Sequence, residues 1–246
     1  MNISRIKGMK INNIKRDDLM LEIKQDILKK KIGQYISITN TEAMYFGMKN
    51  KTHHDYINNA RFSLCDGVGI KIAAKFHRLQ VNRYNGPELF LDIVNDGQKN
   101  NWTHFLFGAE QKVNDRLRSI LECSYPSVKI LGNYSPPFRK LTRDEQIEII
   151  DNINSLKPNF LWVSLGLPKQ EKWIKENIKN LNVNYCIGVG AAFDFHTNNV
   201  KRAPKILRTI GMEWFYRTMF ETRLIKRQVR GFKFMLKAIV DNKNSF

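Results

Sequence analysis

Short apolar segments alternate with longer amphipathic segments along most of this chain. The short segments are rich in β-branched and aromatic residues and end in Gly, Asn, Thr or Asp, which is typical of strands in a parallel sheet. Strands are predicted at Tyr35–Thr39, Phe62–Cys65, Thr103–Phe107, Val128–Leu131, Phe160–Leu165 and Tyr185–Val189. Helices are predicted at Asp17–Lys30, Thr41–Lys49, Pro87–Asn95, Gln111–Leu121, Arg143–Ser155 and Lys169–Ile178. The alternation predicts an α/β fold with a Rossmann-like parallel sheet flanked by helices.

The pattern changes after about Phe195, where strand-like segments stop and basic helical segments begin. We therefore predict an α/β core of residues 1–195 and a basic helical appendage of residues 196–246. A helix from Arg223 onward would carry one basic arc, which is formed by Arg223, Lys226, Arg227, Arg230, Lys233 and Lys237 with Phe234 among them. The opposite arc is apolar and contains Ile225, Val229, Phe232, Leu236 and Ile239. Such a helix fits an anionic membrane surface, or it packs on the core with a solvated basic face.

The charge balance points to an anionic partner. The 246 residues contain 41 Lys and Arg against 23 Asp and Glu, which gives a formal net charge of +18. Residues 201–237 hold 11 of these cations and 2 of the acids, so half of the net charge lies in that segment. Clustering of this kind places the anion partner at one end of the chain. A basic nucleic-acid-binding module is the rival interpretation, but the sequence has no recognisable motif for reading nucleic acid.

Several classes of protein are disfavoured by what the sequence lacks. It has no apolar run of about 18 residues and no secretory leader, so we expect a cytoplasmic protein without a membrane-spanning segment. Its three cysteines, Cys65, Cys123 and Cys186, form no CxxC pair, and its histidines form no HExxH motif. Since no Asp-x-Asp pair is present either, we expect no metal and no other cofactor.

Asp66 is the first candidate for chemistry. The segment Leu64-Cys-Asp-Gly-Val-Gly69 places a carboxylate at a strand end, and the glycine that follows lets a ligand approach closely. Asp66 is then suited to take a proton from a hydroxyl group. The alternative is that Asp66 only makes an Asx-turn or caps the next helix. Thr39-Asn40-Thr41-Glu42 is open in the same way, as a helix cap or as polar groups aimed at a substrate.

Glycine turns follow three further predicted strands, at Gly108, Gly166 and Gly190. In Leu165-Gly-Leu-Pro168-Lys169-Gln170-Glu171 a proline opens a helix, so free N–H groups and Lys169 are placed to meet a phosphate. An ordinary connection between strand and helix fits the same residues. Neither a Walker A loop nor a GxGxxG fingerprint is present, which disfavours P-loop NTPases and nicotinamide dehydrogenases.

The order of these motifs along the chain resembles one known family. Beyond those already given, the motifs are Arg83 with Gly86 and Glu88, Gly188-Val-Gly190, Lys201-Arg202-Ala-Pro204, and Glu213-Trp214-Phe-Tyr-Arg217. The chain resembles the WecG/TagA/CpsF family of bacterial glycosyltransferases, glycosyltransferase family 26, over nearly its whole length. The resemblance implies transfer of a sugar from a UDP-sugar to a polyprenyl-diphosphate-linked saccharide in the synthesis of a cell-surface polysaccharide of the teichoic acid, capsule, exopolysaccharide or enterobacterial common antigen type. The implied sugar is N-acetylmannosamine, its uronate or glucose.

The resemblance also implies roles for individual residues. Asp66 becomes the base of an inverting displacement, and Thr39 positions a substrate beside it. Further substrate contacts are implied for Asn40, Gly67, Arg83, Gly86, Glu88, Gly108, Gly166, Lys169, Gln170, Gly190 and Arg202, with Arg217, Arg223 and Arg227 near the diphosphate. Lys226, Arg230, Lys233, Phe234 and Lys237 would bind an anionic membrane surface.

The implied location is peripheral, at the inner face of the plasma membrane, without a metal and without specific nucleic acid. A homo-oligomer that covers the apolar side of the terminal helix is one way to keep the chain in solution. A membrane-attached nucleotide-sugar-binding protein without catalytic activity stays open as an alternative function.

Overall fold

A computed structural model describes residues 2–200, 203–204, 206–207, 213–220 and 224–240, and within 213–220 the side chains at positions 215, 216, 218 and 219. The strands of this part of the chain are β1 Asn2–Ile6, β2 Met9–Asn13, β3 Gln34–Thr39, β4 Phe62–Cys65, β5 Thr103–Gly108, β6 Lys129–Tyr134, β7 Phe160–Ser164 and β8 Tyr185–Gly188. Its helices are α1 Arg16–Leu28, α2 Thr41–Lys49, α3 Lys51–Asn59, α4 Val68–Phe76, α5 Gly86–Asn100, α6 Gln111–Ser124, α7 Arg143–Leu156, α8 Lys169–Asn177, α9 Ala192–His196, α10 Glu213–Phe220 and α11 Ile225–Val240.

Six strands form one parallel sheet in the order β4-β3-β8-β7-β5-β6. The predicted α/β fold with a parallel sheet and flanking helices is therefore confirmed. Every residue of β7 and β8 is buried, which explains why these strands appear in the sequence as continuous apolar runs rather than as alternating patterns. The aromatic core around β7 includes Trp162, whose ring lies 4.7 Å from that of Phe90.

Some elements escape prediction from the pattern. β1 and β2 form an antiparallel hairpin joined at Lys7 and Gly8, both with positive φ. α3 and α4 are not among the helices predicted from the sequence, and β6 runs to Tyr134 rather than Leu131. Within the described residues, no helix is both long enough and apolar enough to cross a membrane.

Contacts between residues divide the chain into two compact units. The first contains Met1–Lys15, Ser37–Asn85 and Val200–Phe246, and the second contains Arg16–Ile36 and Gly86–Asn199. The last described helix, α11, packs on α2 and α4 within the first unit. The domain boundary near Phe195, which the change in sequence character suggests, stays a prediction.

Candidate active site

Asp66 stands at the end of β4 in the first unit, where three chain segments meet. Its main-chain N–H donates to the main-chain oxygen of Thr39 over 2.7 Å, and the main-chain N–H of Tyr84 donates to the main-chain oxygen of Cys65 over 2.9 Å. Cys65 and Arg83 form an isolated parallel bridge. These bonds tie the end of β3 and the segment at Arg83 to the turn that carries Asp66. Asp66 itself is partly exposed.

Gly67 gives the Asp66 turn its shape. Its φ of +92° and ψ of 160° belong to a region that is almost closed to residues with a side chain. A Cβ built on Gly67 would meet nothing within 4 Å. The requirement for glycine therefore comes from the backbone angle rather than from crowding, and the space beside the carboxylate-bearing residue is open to a ligand.

Cys65 precedes Asp66 but is not a chemical candidate. Burial, followed by the negative charge of Asp66, raises the pKa of the Cys65 thiol to about 12, although Arg83 and Lys71 act in the opposite direction. A thiol with this pKa is protonated and inert near neutral pH. Arg83 and Lys71 therefore both lie near Cys65.

Thr39 is not placed to position a substrate beside Asp66, although the family resemblance implies that role. The residue is fully buried, and its hydroxyl lies 2.9 Å from the Ser37 hydroxyl and 2.9 Å from the Ser63 hydroxyl. Successive side chains of β3 point to opposite faces of the sheet, so residues 37 and 39 share one face. Thr39 thus supports the strand ends and does not present its hydroxyl to a substrate.

The helix cap predicted at Asn40 is confirmed. The Asn40 side-chain oxygen accepts from the Ala43 N–H over 3.0 Å, which satisfies one free donor of the first turn of α2. Asn40 remains partly exposed, so a contact between its amide group and a substrate stays a prediction.

Glu42, in the first turn of α2, contacts the C-terminal helix. Arg227 Nε lies 3.0 Å from Glu42 Oε2, and Arg230 donates to Glu42 Oε1 through both Nε, at 2.9 Å, and Nη2. The Arg230 guanidinium also lies 5.3 Å from the centre of the Phe46 ring. Arg230 is therefore turned toward α2, which corrects its assignment to a basic face that meets a membrane. Sequence reasoning found Glu42 only as a helix-capping acid, because its partners lie 185 and more residues away.

The orientation of α11 differs from the predicted one. Phe234 is fully buried together with Gly231 and Ala238, so Phe234 is not available to a membrane surface and that expectation is wrong. The face turned outward is formed by the apolar residues Ile225, Val229, Phe232, Leu236 and Val240 with Lys226, Lys233 and Lys237. Small residues and one large aromatic ring on the inner face permit close packing, and this outweighs the burial of a longer apolar stripe.

In the second unit, hydrogen bonds made by Gln170 and Ser164 connect the glycine turns at Gly108, Gly166 and Gly190. The Gln170 Oε1 accepts from the Gly190 N–H over 3.0 Å, and its Nε2 donates to Glu171 Oε1 over 2.8 Å. The Ser164 hydroxyl donates to the Gly190 oxygen over 2.7 Å. Gln170 is buried, so it fixes the turn at Gly190 rather than presenting its amide to solvent.

Gly108 permits a close approach of two strand ends in the same unit. A Cβ on Gly108 would lie 2.5 Å from the Ser164 oxygen, and the Ala109 N–H donates to that oxygen over 2.9 Å. Any side chain at position 108 would therefore push the ends of β5 and β7 apart. Gly166 and Lys169 precede and open α8, and Lys169 is exposed, as its predicted role requires.

Asn114 on α6 also supports the strand ends of the second unit, although the sequence analysis did not identify it. It is fully buried, and its Nδ2 lies within 3.3 Å of the Leu106, Gly108 and Tyr134 oxygens. The amide therefore joins the ends of β5 and β6. An Asn on the buried face of a helix was the available signal, since such a residue needs partners.

A sequence profile of the glycosyl transferase WecG/TagA/CpsF family matches residues 4–245. The chain belongs to this family. A Bacillus subtilis (strain 168) protein named N-acetylglucosaminyldiphosphoundecaprenol N-acetyl-beta-D-mannosaminyltransferase is 30% identical over 224 residues, which are 90% of this chain and 85% of that protein. Proteins of the same name from Staphylococcus aureus strains MRSA252 and NCTC 8325 / PS 47 are each 28% identical over 196 residues, which are 78% of this chain and 74% of theirs.

As a glycosyltransferase of this family, the chain carries predicted site residues in both units. Asp66, Gly67 and Arg83 lie together in the first, and Gly108, Gly166 and Gln170 lie together in the second. Gly86 begins α5 as a buried residue, and Glu88 follows it on an exposed position.

Three predicted contacts fall outside what the structure shows of this glycosyltransferase. Arg202 and Arg223 lie outside the described residues, as does the side chain of Arg217. Among the described residues, no group of three or more His, Cys, Asp or Glu side chains is arranged to hold a metal ion.

Proposed function

We propose that the protein transfers N-acetylmannosamine from a UDP-sugar to a saccharide linked to polyprenyl diphosphate. The main structural support is Asp66, a partly exposed carboxylate in a glycine turn with open space beside it. Membership of the family and the names of the relatives from Bacillus subtilis and Staphylococcus aureus support the choice of sugar and acceptor. A cell-surface polysaccharide is the proposed end product.

In the proposed reaction Asp66 acts as the general base. It takes the proton from an acceptor hydroxyl while the hydroxyl oxygen forms a bond to the anomeric carbon of the donor. The bond between that carbon and the diphosphate oxygen breaks, and UDP leaves with the electron pair. A single displacement of this kind inverts the anomeric configuration.

Negative charge on the departing diphosphate needs cations or N–H donors. Arg227 is the proposed cation of the first unit, since a guanidinium carries five N–H donors and its contact with Glu42 is made through Nε. Lys169, at the opening of α8, stays a proposed substrate contact. The reaction is proposed to need no metal.

The outward face of α11 is the proposed membrane contact. It carries half-exposed Phe232 and Leu236 among Lys226, Lys233 and Lys237. Apolar side chains between lysines suit the boundary between headgroups and acyl chains, and each lysine near an anionic surface contributes about 1 kcal/mol. The protein would then work at the inner face of the plasma membrane, where its lipid-linked acceptor is anchored.

The test is a transfer assay with purified protein. A panel of UDP-sugars, including N-acetylmannosamine, its uronate and glucose, is incubated with a short-chain polyprenyl-diphosphate-linked N-acetylglucosamine, with and without EDTA. We expect a disaccharide product by mass spectrometry from the N-acetylmannosamine donor, and EDTA should not reduce it. Absence of product with every donor, from folded protein that binds UDP, would contradict the proposal.

The Asp66→Asn variant gives the second arm of this test. It should lose turnover by about 100-fold or more while UDP binding persists, because the amide is a poor base but has nearly the same shape. Asp151→Asn, on an exposed position of α7, is the matched control and should keep full turnover. A protein that only senses the nucleotide sugar would respond to the donor equally well with Asn at position 66.

A further inference from the structure

Glu42 is a buried carboxylate whose charge must be compensated. Its side chain is 5% exposed, and removing such a group from water is costly unless cations and hydrogen bonds replace the solvent. Arg227 and Arg230 replace the solvent here, Arg227 at Oε2 and Arg230 at Oε1. Both arginines stay about one-third exposed, so the pair is buried on one side and open on the other.

The helix that carries these arginines lies very close to α2. A Cβ on Gly231 would lie 2.5 Å from the Thr41 hydroxyl oxygen. A Cβ on Gly69, in the first turn of α4, would lie 2.4 Å from Thr41 Cγ2 and 3.0 Å from Met235 Sδ. Thr41 thus lies between α4 and α11, and small shifts of α11 would disturb the first turns of α2 and α4.

Those first turns are continuous with the strand ends of the candidate site. Glu42 follows Thr39 by three residues, and the Thr39 oxygen binds the Asp66 N–H. The residue that binds both guanidinium groups therefore lies within about one helical turn of the strand end to which Asp66 is bonded. Two cations and one carboxylate leave a positive charge in excess, and it is held in place rather than carried on mobile side chains.

We propose that Glu42 is a positioning residue for the transfer reaction. Its carboxylate fixes the guanidinium groups of Arg227 and Arg230 and holds the side of α11 that carries them against α2, the helix that follows the strand end bonded to Asp66. The inference rests on the proposed function, in which Arg227 stabilises the leaving diphosphate. A cation that is already oriented stabilises developing charge more than one that must be ordered during the reaction.

Hydrogen exchange tests whether Glu42 holds the helix. In Glu42→Gln the charge is lost with little change of shape, and the amides of residues 225–240 should exchange faster while those of α5 keep the wild-type rate. The matched control is Glu145→Gln, which removes a carboxylate that binds Arg139 through two N–H groups at 2.7 Å and 2.6 Å. Unchanged exchange over 225–240 in Glu42→Gln would overturn the proposal.

Steady-state kinetics test whether the held helix matters for the reaction. Turnover is expressed per UDP-binding site, counted by titration, so that unfolded protein does not enter the value. We expect kcat of Glu42→Gln to fall about tenfold or more while KM for the UDP-sugar changes little, because the lost interaction belongs to the transition state. Glu42→Gln combined with Arg227→Gln should lose little more than Arg227→Gln alone. A wild-type kcat in Glu42→Gln, or fully additive losses, would overturn the proposal.

Gly231→Ala supplies a second variant that changes no charge. Its Cβ meets Thr41, so it should displace α11 and lower kcat per UDP-binding site in the same way, and Thr41→Ala should restore part of the loss. Wild-type kcat in Gly231→Ala with faster exchange over 225–240 would show that the position of the helix is irrelevant to transfer. A wild-type enzyme that makes no product contradicts the proposed function itself, whereas the exchange rates still decide whether Glu42 holds the helix.

Discussion

The main-chain N–H of Asp66 donates to the main-chain oxygen of Thr39 over 2.7 Å, so the direction of the proposed base depends on the end of the neighbouring strand. That strand end is itself held by side-chain hydrogen bonds, because the Thr39 hydroxyl is bonded to the buried hydroxyls of Ser37 and Ser63. The Ser63 N–H is bound in turn by the Asn12 side-chain oxygen at 2.7 Å. We therefore expect a change at Thr39 to affect both the stability of the protein and the position of the proposed base.

Replacing Thr39 by Val should destabilise the protein. The two side chains have nearly the same shape, but Val leaves the buried Ser37 and Ser63 hydroxyls without their shared partner, so the free energy of unfolding should fall by about 1–3 kcal/mol. Thr39→Ser keeps the hydroxyl and should lose less. Urea denaturation measures both, and equal losses in the two variants would contradict a role for the hydroxyl.

Replacing Gln170 by Leu should weaken binding of the donor. The variant loses the acceptor for the Gly190 N–H and the donor to Glu171, so the turn at Gly190 loses its fixed shape. We expect KM for the UDP-sugar to rise about tenfold, which corresponds to about 1.4 kcal/mol of binding free energy. Gln146→Leu removes a comparable side-chain bond, to Asn177 at 2.6 Å, and serves as the control. Calorimetry with UDP gives the comparison, and equal affinities in the two variants would refute this role.

Replacing Phe232 by Ser should weaken binding to membranes. Phe232 is exposed on α11 between lysines, and burying a Phe side chain contributes about 1.5–3 kcal/mol. Sedimentation with vesicles of phosphatidylglycerol and phosphatidylethanolamine should show a partition coefficient about tenfold lower or more. Ile147→Ser changes an exposed apolar residue of α7 and should bind as wild type. Wild-type partitioning of Phe232→Ser would exclude this face as the membrane contact.

His104 should make the protein less stable in mild acid. Burial lowers the pKa of this imidazole to about 3, from an ordinary value of 6.5. Between these two values the unfolded chain binds a proton that the folded chain does not, so stability falls as the pH drops below about 6.5, by at most about 1.4 kcal/mol per pH unit. His104→Asn keeps an acceptor for the Trp162 N–H, which donates to Nδ1 at 3.2 Å, and should show a shallower dependence. Urea titrations from pH 7 to pH 4 measure the two slopes, and identical slopes would contradict the assignment.

Most of the sheet could be predicted because its central strands are buried on both faces. Phe160–Val163 and Tyr185–Ile187 are apolar runs, and polar or glycine residues mark where they end. Asp66, Gly108 and Gly166 could be predicted for the same reason, since each stands directly after a strand predicted from the sequence. The order of the strands, in contrast, depends on crossovers that no local pattern encodes.

The orientation of α11 could not be predicted from its apolar stripe. Packing there is decided by Gly231 against Thr41 and by the carboxylate of Glu42, both contributed by a segment far away in the sequence. An arginine that pairs with a buried carboxylate looks the same in a sequence as one that meets a lipid. Thr39 was misjudged for a similar reason, because a hydroxyl chain with Ser37 and Ser63 requires two strands to be adjacent.

The burial of Cys65 next to the proposed base has a practical consequence for chemical labelling. Cys65 and Cys186 are both buried with raised pKa values, while Cys123 at the end of α6 is exposed. A maleimide dye should therefore modify the native chain at one position and leave the thiol beside Asp66 untouched. The unmodified sequence already offers a single attachment point for fluorescence or cross-linking, and additional labelling of Cys65 would report that the turn carrying Asp66 has opened.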